Sequence, residues 1–297
     1  SMKGSGSPSG AWNVGVGAQT NYSITNGVAN VAVGYQTLYT NTTHDSNTAI
    51  GHNSMYGAIS DHSVAVGRDT LRVSETDYNT AIGNNSLYAA STGIGNTGCG
   101  YNTLRYTTTG SYNIGIGYAA LKNTTSGNYN IAIGHEAMES ASNSTAHENL
   151  AIGKAALKAA ANGTSQCVAI GQNALTLATG DDNTSIGFGS GDSITTGQRN
   201  TFLGGGAGHA LEDDNDNVCI GYNAGDNLTA GNGNVIIGNY VDAVSATGSR
   251  QLAIGGADGS GSVTTWITGT SDGSVNLPNS ILKINGSVGS DGQVLTS

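Results

Sequence analysis

Asn130-Ile131-Ala132-Ile133-Gly134 decides the fold, because the 297-residue chain repeats it from end to end. Relatives include Asn13-Val-Gly-Val-Gly17, Asn47-Thr-Ala-Ile-Gly51, Asn79-Thr-Ala-Ile-Gly83, Cys167-Val-Ala-Ile-Gly171 and Asn217-Val-Cys-Ile-Gly221. The closing glycines are Gly17, Gly34, Gly51, Gly67, Gly83, Gly100, Gly117, Gly134, Gly153, Gly171, Gly187, Gly204, Gly221, Gly238 and Gly255. Successive differences run from 16 to 19 residues and are most often 17. A fixed period of this size marks one supersecondary unit stacked on copies of itself, each coil burying its apolar face against the next. The fold class expected is all-β: a repeat β-solenoid or β-roll with coils of about 17 residues.

Side chains of a strand alternate between faces, so positions two and four of the unit share one face. Position four carries Ile50, Ile82, Ile116, Ile133, Ile152, Ile170, Ile186, Ile220 and Ile237, with Val, Leu or Cys99 elsewhere. This β-branched stripe is expected to be the core of the stack. Position two mixes Thr, Val, Ile and Leu and should border the buried zone, whereas the Ala or Gly of position three suits a close approach by another backbone. The invariant glycine implies a turn with φ > 0 or crowding that forbids a Cβ. The leading Asn can hydrogen-bond from coil to coil, as in other β stacks.

A second anchor falls four residues after each glycine from Leu38 to Leu175, through Met55, Leu71, Leu87, Leu104, Leu121, Met138 and Leu157. Gly191, Gly208 and Gly225 then replace it, which predicts tighter packing or a different turn, and a subdomain change, beyond about residue 180. The chain therefore divides into a cloning scar and linker over 1–10, Leu/Met-anchored coils over 11–180, Gly-type coils over 181–255, and a β-rich connector over 256–297. Each coil offers about two apolar anchors in about 17 residues, too few to close a core alone. Sister copies around an axis should complete the seal, which predicts an intertwined or side-by-side homotrimeric fibre about 70 Å long at one strand spacing per coil.

Composition bounds the function. Charged residues make up 10% of the chain and the net charge is −10. The ten basic residues look scattered, so a nucleic-acid partner is not expected. No apolar run approaches the roughly 20 residues of a membrane span, and no signal peptide is visible. Cys99, Cys167 and Cys219 occupy three different repeat positions and are expected to be separate buried or semi-buried thiols. The six histidines read as solvated loop residues, although a trimer axis could bring one column onto itself around an ion. Glu212-Asp-Asp-Asn-Asp216 lacks the spacing of a calcium loop and reads as a solvated acidic loop. No cofactor, metal or catalytic residue is expected, and the chain reads as a non-enzyme. Tyrosine is in excess, at 13. Tyr35, Tyr101, Tyr118 and Tyr222 share one column and Tyr39, Tyr56 and Tyr88 another, offering rows that could stack on sugar rings or on each other.

Asn47-Thr-Ala-Ile-Gly51 and its kin resemble the head repeats of trimeric autotransporter adhesins. The longer unit, with Asn-Thr-Thr loops as in Leu121-Lys-Asn-Thr-Thr-Ser-Gly127, is similar to tail fibres of marine bacteriophages, as is the segment Trp266-Ile-Thr-Gly-Thr-Ser-Asp-Gly-Ser-Val275. The resemblance implies a virion-tail or otherwise extracellular trimer that binds a host cell-surface glycan or protein receptor, without membrane insertion. A bacterial adhesin head, a fibre-borne glycan depolymerase and an ice-binding solenoid are the alternatives.

Overall fold

The computed structural model describes residues 12–140, 145–160, 163–257 and 262–277, together with the strand residues 283–284 and 287–288. Residues 1–10, expected to be a scar and linker, lie outside the described residues, as do most of Ile281–Gly286 and most of Gly286–Thr296. Among the described residues the chain is all-β with no helix, a β-solenoid of about 14 turns. Fourteen three-residue strands run from β1 (Val14–Val16) to β14 (Val235–Ile237), one per repeat and always at positions two to four. They pair in parallel and in register, so Ile116 lies beside Ile133 and Ile133 beside Ile152.

Hydrogen bonding continues from coil to coil around the turns. Leu121 N–H donates to the Ala137 carbonyl at 3.0 Å, and Glu136 N–H to that of Tyr118 at 2.8 Å. Corners are made by single left-handed residues, among them Tyr112, Ala119 and Leu121 at φ 58°, 54° and 53°. Such a backbone disfavours an L side chain, and here the coil-to-coil bonding on both sides holds it. At the position-five turn both expected reasons for glycine apply. Gly134 has φ 140°, and a Cβ there would overlap the carbonyl oxygen of Gly153 in the next coil.

The interior corrects the reading of the strand faces. The three-residue strand turns its middle residue inward, so Ala132, Ala151 and Ala169 are fully buried. Position four points out of the coil. Ile50, Ile82, Ile116, Ile133 and Ile186 are exposed on the chain, and Ile152, Ile170, Ile220 and Ile237 half-buried. Side chains alternate as expected, but room rather than hydrophobicity sets which face is inward. Leu104, Leu121 and Met138 reach across from the turn and already fill the lumen, leaving space only for Ala or Gly opposite. A Cβ on Gly115, for example, would come within 3.2 Å of Leu104 Cγ.

The leading Asn lies inside and forms the expected ladder. Asn130 N–H and Asn130 Nδ2 both donate to Asn113 Oδ1, at 2.9 and 3.0 Å. The same Nδ2 also donates to the Ala146 carbonyl at 2.7 Å. Each carboxamide thus satisfies buried backbone that would otherwise be orphaned. Ser63 and Cys167 interrupt the row.

The expected break near residue 180 is a change of packing, not of backbone. Strands β10 (Val168–Ile170), β11 (Thr184–Ile186) and β12 (Thr201–Leu203) remain parallel and in register. Gly191 and Gly208 keep the left-handed φ of the leucines they replace, 56° and 60°. The lost volume returns from elsewhere. Phe202 takes the inward position three and lies against both glycines, 2.5 Å from where a Gly191 Cβ would be. Ile194, Leu211 and Leu228, seven residues after their glycines, fill sites held by Asn41, Ala58 and Thr107 in earlier coils. Two solutions to one volume share a single backbone. At the end of the repeats the parallel stack stops: β15 (Leu252–Ala257) pairs antiparallel with β16 (Val263–Gly269), and β16 with β17 (Val275–Asn276). A separate hairpin joins β18 (Lys283–Ile284) to β19 (Ser287–Val288).

Candidate functional site

The most extensive surface feature is the outward strand face. Because consecutive strands are in register, positions two and four each form a continuous column from β1 to β14. Ile131 and Ile133 are each 37% exposed and Ile116 39%, and Val14, Val16, Ile82, Ile186 and Leu203 extend the patch. At about 4.8 Å per rung the strip runs roughly 65 Å. Apolar surface this continuous is uncommon on a monomer. Cys99 belongs to it, so that thiol is exposed while Cys167 and Cys219 are buried, and all three are free.

Beside that face run the aromatic columns, better ordered than the sequence suggested. Tyr22, Tyr39 and Tyr56 stack with ring centroids 4.9 and 5.0 Å apart. The row continues with Arg72, whose guanidinium lies 5.7 Å from the rings of both Tyr56 and Tyr88, and Arg105 sits 5.7 Å beyond Tyr88. Lys122 and Lys158 follow, each paired with Glu139, at 3.1 and 3.6 Å. Lys158 also binds Glu136 at 2.6 Å, which holds the Glu136 carboxyl below its usual range. Four of the ten basic residues, Arg72, Arg105, Lys122 and Lys158, thus form one file that the sequence reading missed. A groove of about 460 Å³ at Lys122 and Lys158 has its charges already matched internally.

The other column places Tyr35 against His52 at 5.3 Å, and Tyr101, Tyr118 and His135 in a run at 5.4 and 4.8 Å. A third column escaped the sequence reading: His62 stacks on Tyr78, and Tyr112 on Tyr129, both at 5.3 Å. Its signal was the residue just before each leading Asn, where aromatic side chains recur. His52, His62 and His135 are exposed, as expected, and are also rungs of these stacks. Rings stacked face to face spend their faces on one another. Tyr39, Tyr56 and Tyr118, flanked on both sides, therefore present edges and hydroxyls outward, while Tyr35 and Tyr101 have a ring neighbour on one side only.

The acidic loop is taken apart by its neighbours. Asp213 accepts hydrogen bonds from Thr195 and Thr196, Asp214 accepts one from Gly231 N–H at 2.9 Å, and Asp216 pairs with Arg199 at 2.7 Å. Asp45, Asp61, Asp77 and Asp181 likewise accept backbone N–H groups of the preceding coil. These carboxylates tie coil to coil and do not converge. Among the described residues no three His, Cys, Asp or Glu side chains are grouped for a metal, and no helix is long and apolar enough to cross a membrane.

The repeat geometry defines the chain as a β-solenoid repeat protein. Comparison with protein-family models, with curated proteins and with solved structures returns no match.

Proposed function

We propose that the chain is a structural and binding protein: the shaft or head of an extended homotrimeric fibre of the phage-tail type, outside the cell, attaching to a host surface glycan or protein. One observation carries the reading. The outward columns of the strand face, Ile116, Ile131 and Ile133 at their centre, leave an apolar strip along the whole stack that the chain itself does not cover. A second copy carries the same strip with the same rung spacing, so closed rotational symmetry buries it without any new sequence feature. The stacked Tyr, Arg and His columns beside it favour a stiff rod over a flexible tether.

A bacterial adhesin head would use the same architecture and belongs to the same class. A depolymerase needs paired carboxylates facing a groove. Here Asp213, Asp214 and Asp216 are each engaged by a different neighbour, which counts against that reading. The test is adhesion: labelled protein incubated with a panel of bacterial cells should bind at least one strain saturably and be displaced by unlabelled protein. Release of oligosaccharide from capsular polysaccharide, or suppression of ice recrystallisation without any adhesion, would contradict it.

A further inference from the structure

In the column just after the closing glycine, where aromatic residues recur, Gly205 leaves a rung without a side chain between two of them. These two are Phe188 and Tyr222, two coils apart. Two rung spacings are roughly 10 Å, so one ring fits between these two with stacking distances of about 5 Å on each side. The gap opens into a cavity of about 300 Å³, also lined by Asp192, Gly206 and His209. That is the lower end of the size range of small-molecule sites, suited to a single ring. Phe188 is 64% exposed and makes no ring contact among the described residues, unlike the stacked Tyr101 and Tyr118. Tyr222 is 50% exposed and leans over Gly205, where a Cβ would lie 3.3 Å from its Cδ2.

The floor supplies polarity. Asp192 Oδ1 is shut off from solvent without a hydrogen-bond partner. Burial pushes the Asp192 carboxyl up from its usual range, with nearby His209 pulling the other way. An unpartnered buried acceptor between the unstacked Phe188 ring and the Tyr222 ring, which Tyr240 meets edge-on at 5.1 Å, is matched by a molecule with C–H faces and hydroxyl donors, a description that fits a pyranose. Charge narrows the class. Residues 181–226 hold Asp181, Asp182, Asp192, Glu212, Asp213, Asp214, Asp216 and Asp226 against Arg199 as their one Lys or Arg. Acidic sugars are repelled, and neutral or amino sugars are not.

We infer that the Phe188–Gly205–Tyr222 gap is a monosaccharide-binding slot for a neutral or amino pyranose, with the ring held between the two aromatic side chains and a hydroxyl donating to Asp192. The inference rests on the attachment reading for its biological sense and deepens it by naming the ligand class and the subsite.

The test is saturation-transfer NMR on the full chain with methyl glycosides of glucose, galactose, mannose, N-acetylglucosamine and glucosamine, and with glucuronic acid as the acidic control. At least one neutral or amino pyranoside should saturate with a Kd on the order of millimolar, and glucuronate should not bind. Gly205→Tyr completes the ladder: Gly205 is outside the left-handed region, and its column carries Tyr in other coils, so the variant should fold. It should weaken binding by roughly tenfold or more, as should Phe188→Ala. Asp192→Asn should weaken it too. Saturation by none of the sugars, or undiminished binding to Gly205→Tyr, overturns the slot, even where the wild type adheres to cells. Sugar binding lost in Gly205→Tyr, in a protein that adheres to no cell, supports the slot and overturns only the attachment reading.

Discussion

Replacing Phe202 by Ala removes the largest side chain buried in the lumen, at a level where two leucine anchors are already missing. A buried Phe→Ala change costs about 3–5 kcal/mol, and the upper end applies because Gly191 and Gly208 offer nothing that can collapse into the hole. The coils before residue 180 show the remedy, since Leu121 and Leu104 take the equivalent left-handed positions over a small position three. Adding Gly191→Leu and Gly208→Leu to the Ala variant should convert this level to the earlier packing. Burying two leucines returns about 1.5–3 kcal/mol each. Holding them at positive φ costs about 1–2 kcal/mol each, so at mid-range the two leucines return about 1.5 kcal/mol net. Either leucine added to the wild type should instead destabilise, because a Gly191 Cβ meets the Phe202 ring at 2.5 Å. Denaturant midpoints of the wild type, the Ala variant, the leucine variants and the triple variant form a cycle whose sign is opposite in the two backgrounds. If the leucines destabilise the Ala variant as much as they do the wild type, the volume exchange is wrong.

Two further outcomes follow from the buried ladder. Cys167→Asn should restore the missing carboxamide: Cys167 N–H already donates to Asn149 Oδ1 at 2.9 Å, and an Asn there supplies an acceptor to the next coil. The variant should gain about 1 kcal/mol in chemical denaturation; a loss would show that the site does not accept the amide. Burial pushes the Cys167 thiol up to about 11 and Cys219 up to about 12, from an ordinary 9.0. Only Cys99 should react with a thiol reagent at pH 8 before unfolding. Above pH 9 the unfolded chain releases the thiol protons that the folded chain retains, so stability is lost as pH rises through the folded values. The advantage of Cys167→Asn should therefore widen between pH 9 and 11, and a constant advantage would argue against a buried protonated thiol.

Period, strand placement, the glycine turn and the Asn ladder were all legible in the sequence, because each follows from one residue type at one fixed spacing. The direction in which the Ile stripe faces was not. Alternation puts Ile131 and Ile133 on one side and Asn130 and Ala132 on the other, but which side is inner depends on what crosses from the turn, and Leu121 is what crosses. The tyrosine rows could be seen as rows, yet the intercalation of Arg72 and Arg105 and the third column at Tyr112 and Tyr129 required the loop positions to be aligned coil by coil. The replacement of Leu by Gly was visible, while its partner change, Ala to Phe202, was not linked to it because position three was regarded as outward. The empty rung at Gly205 has the same origin: an absence shows only once its neighbours are known to stack.

The most direct measurement is the mass in solution by light scattering over a range of dilution, on the wild type and on an Ile116→Asp/Ile133→Asp variant. These two side chains are adjacent in register on the exposed face, and the substitution sets two carboxylates into any contact made there. The account predicts three times 29.7 kDa, 89.1 kDa, for the wild type, and 29.7 kDa with an unchanged β spectrum for the variant. A wild type that stays at 29.7 kDa at every concentration would contradict it.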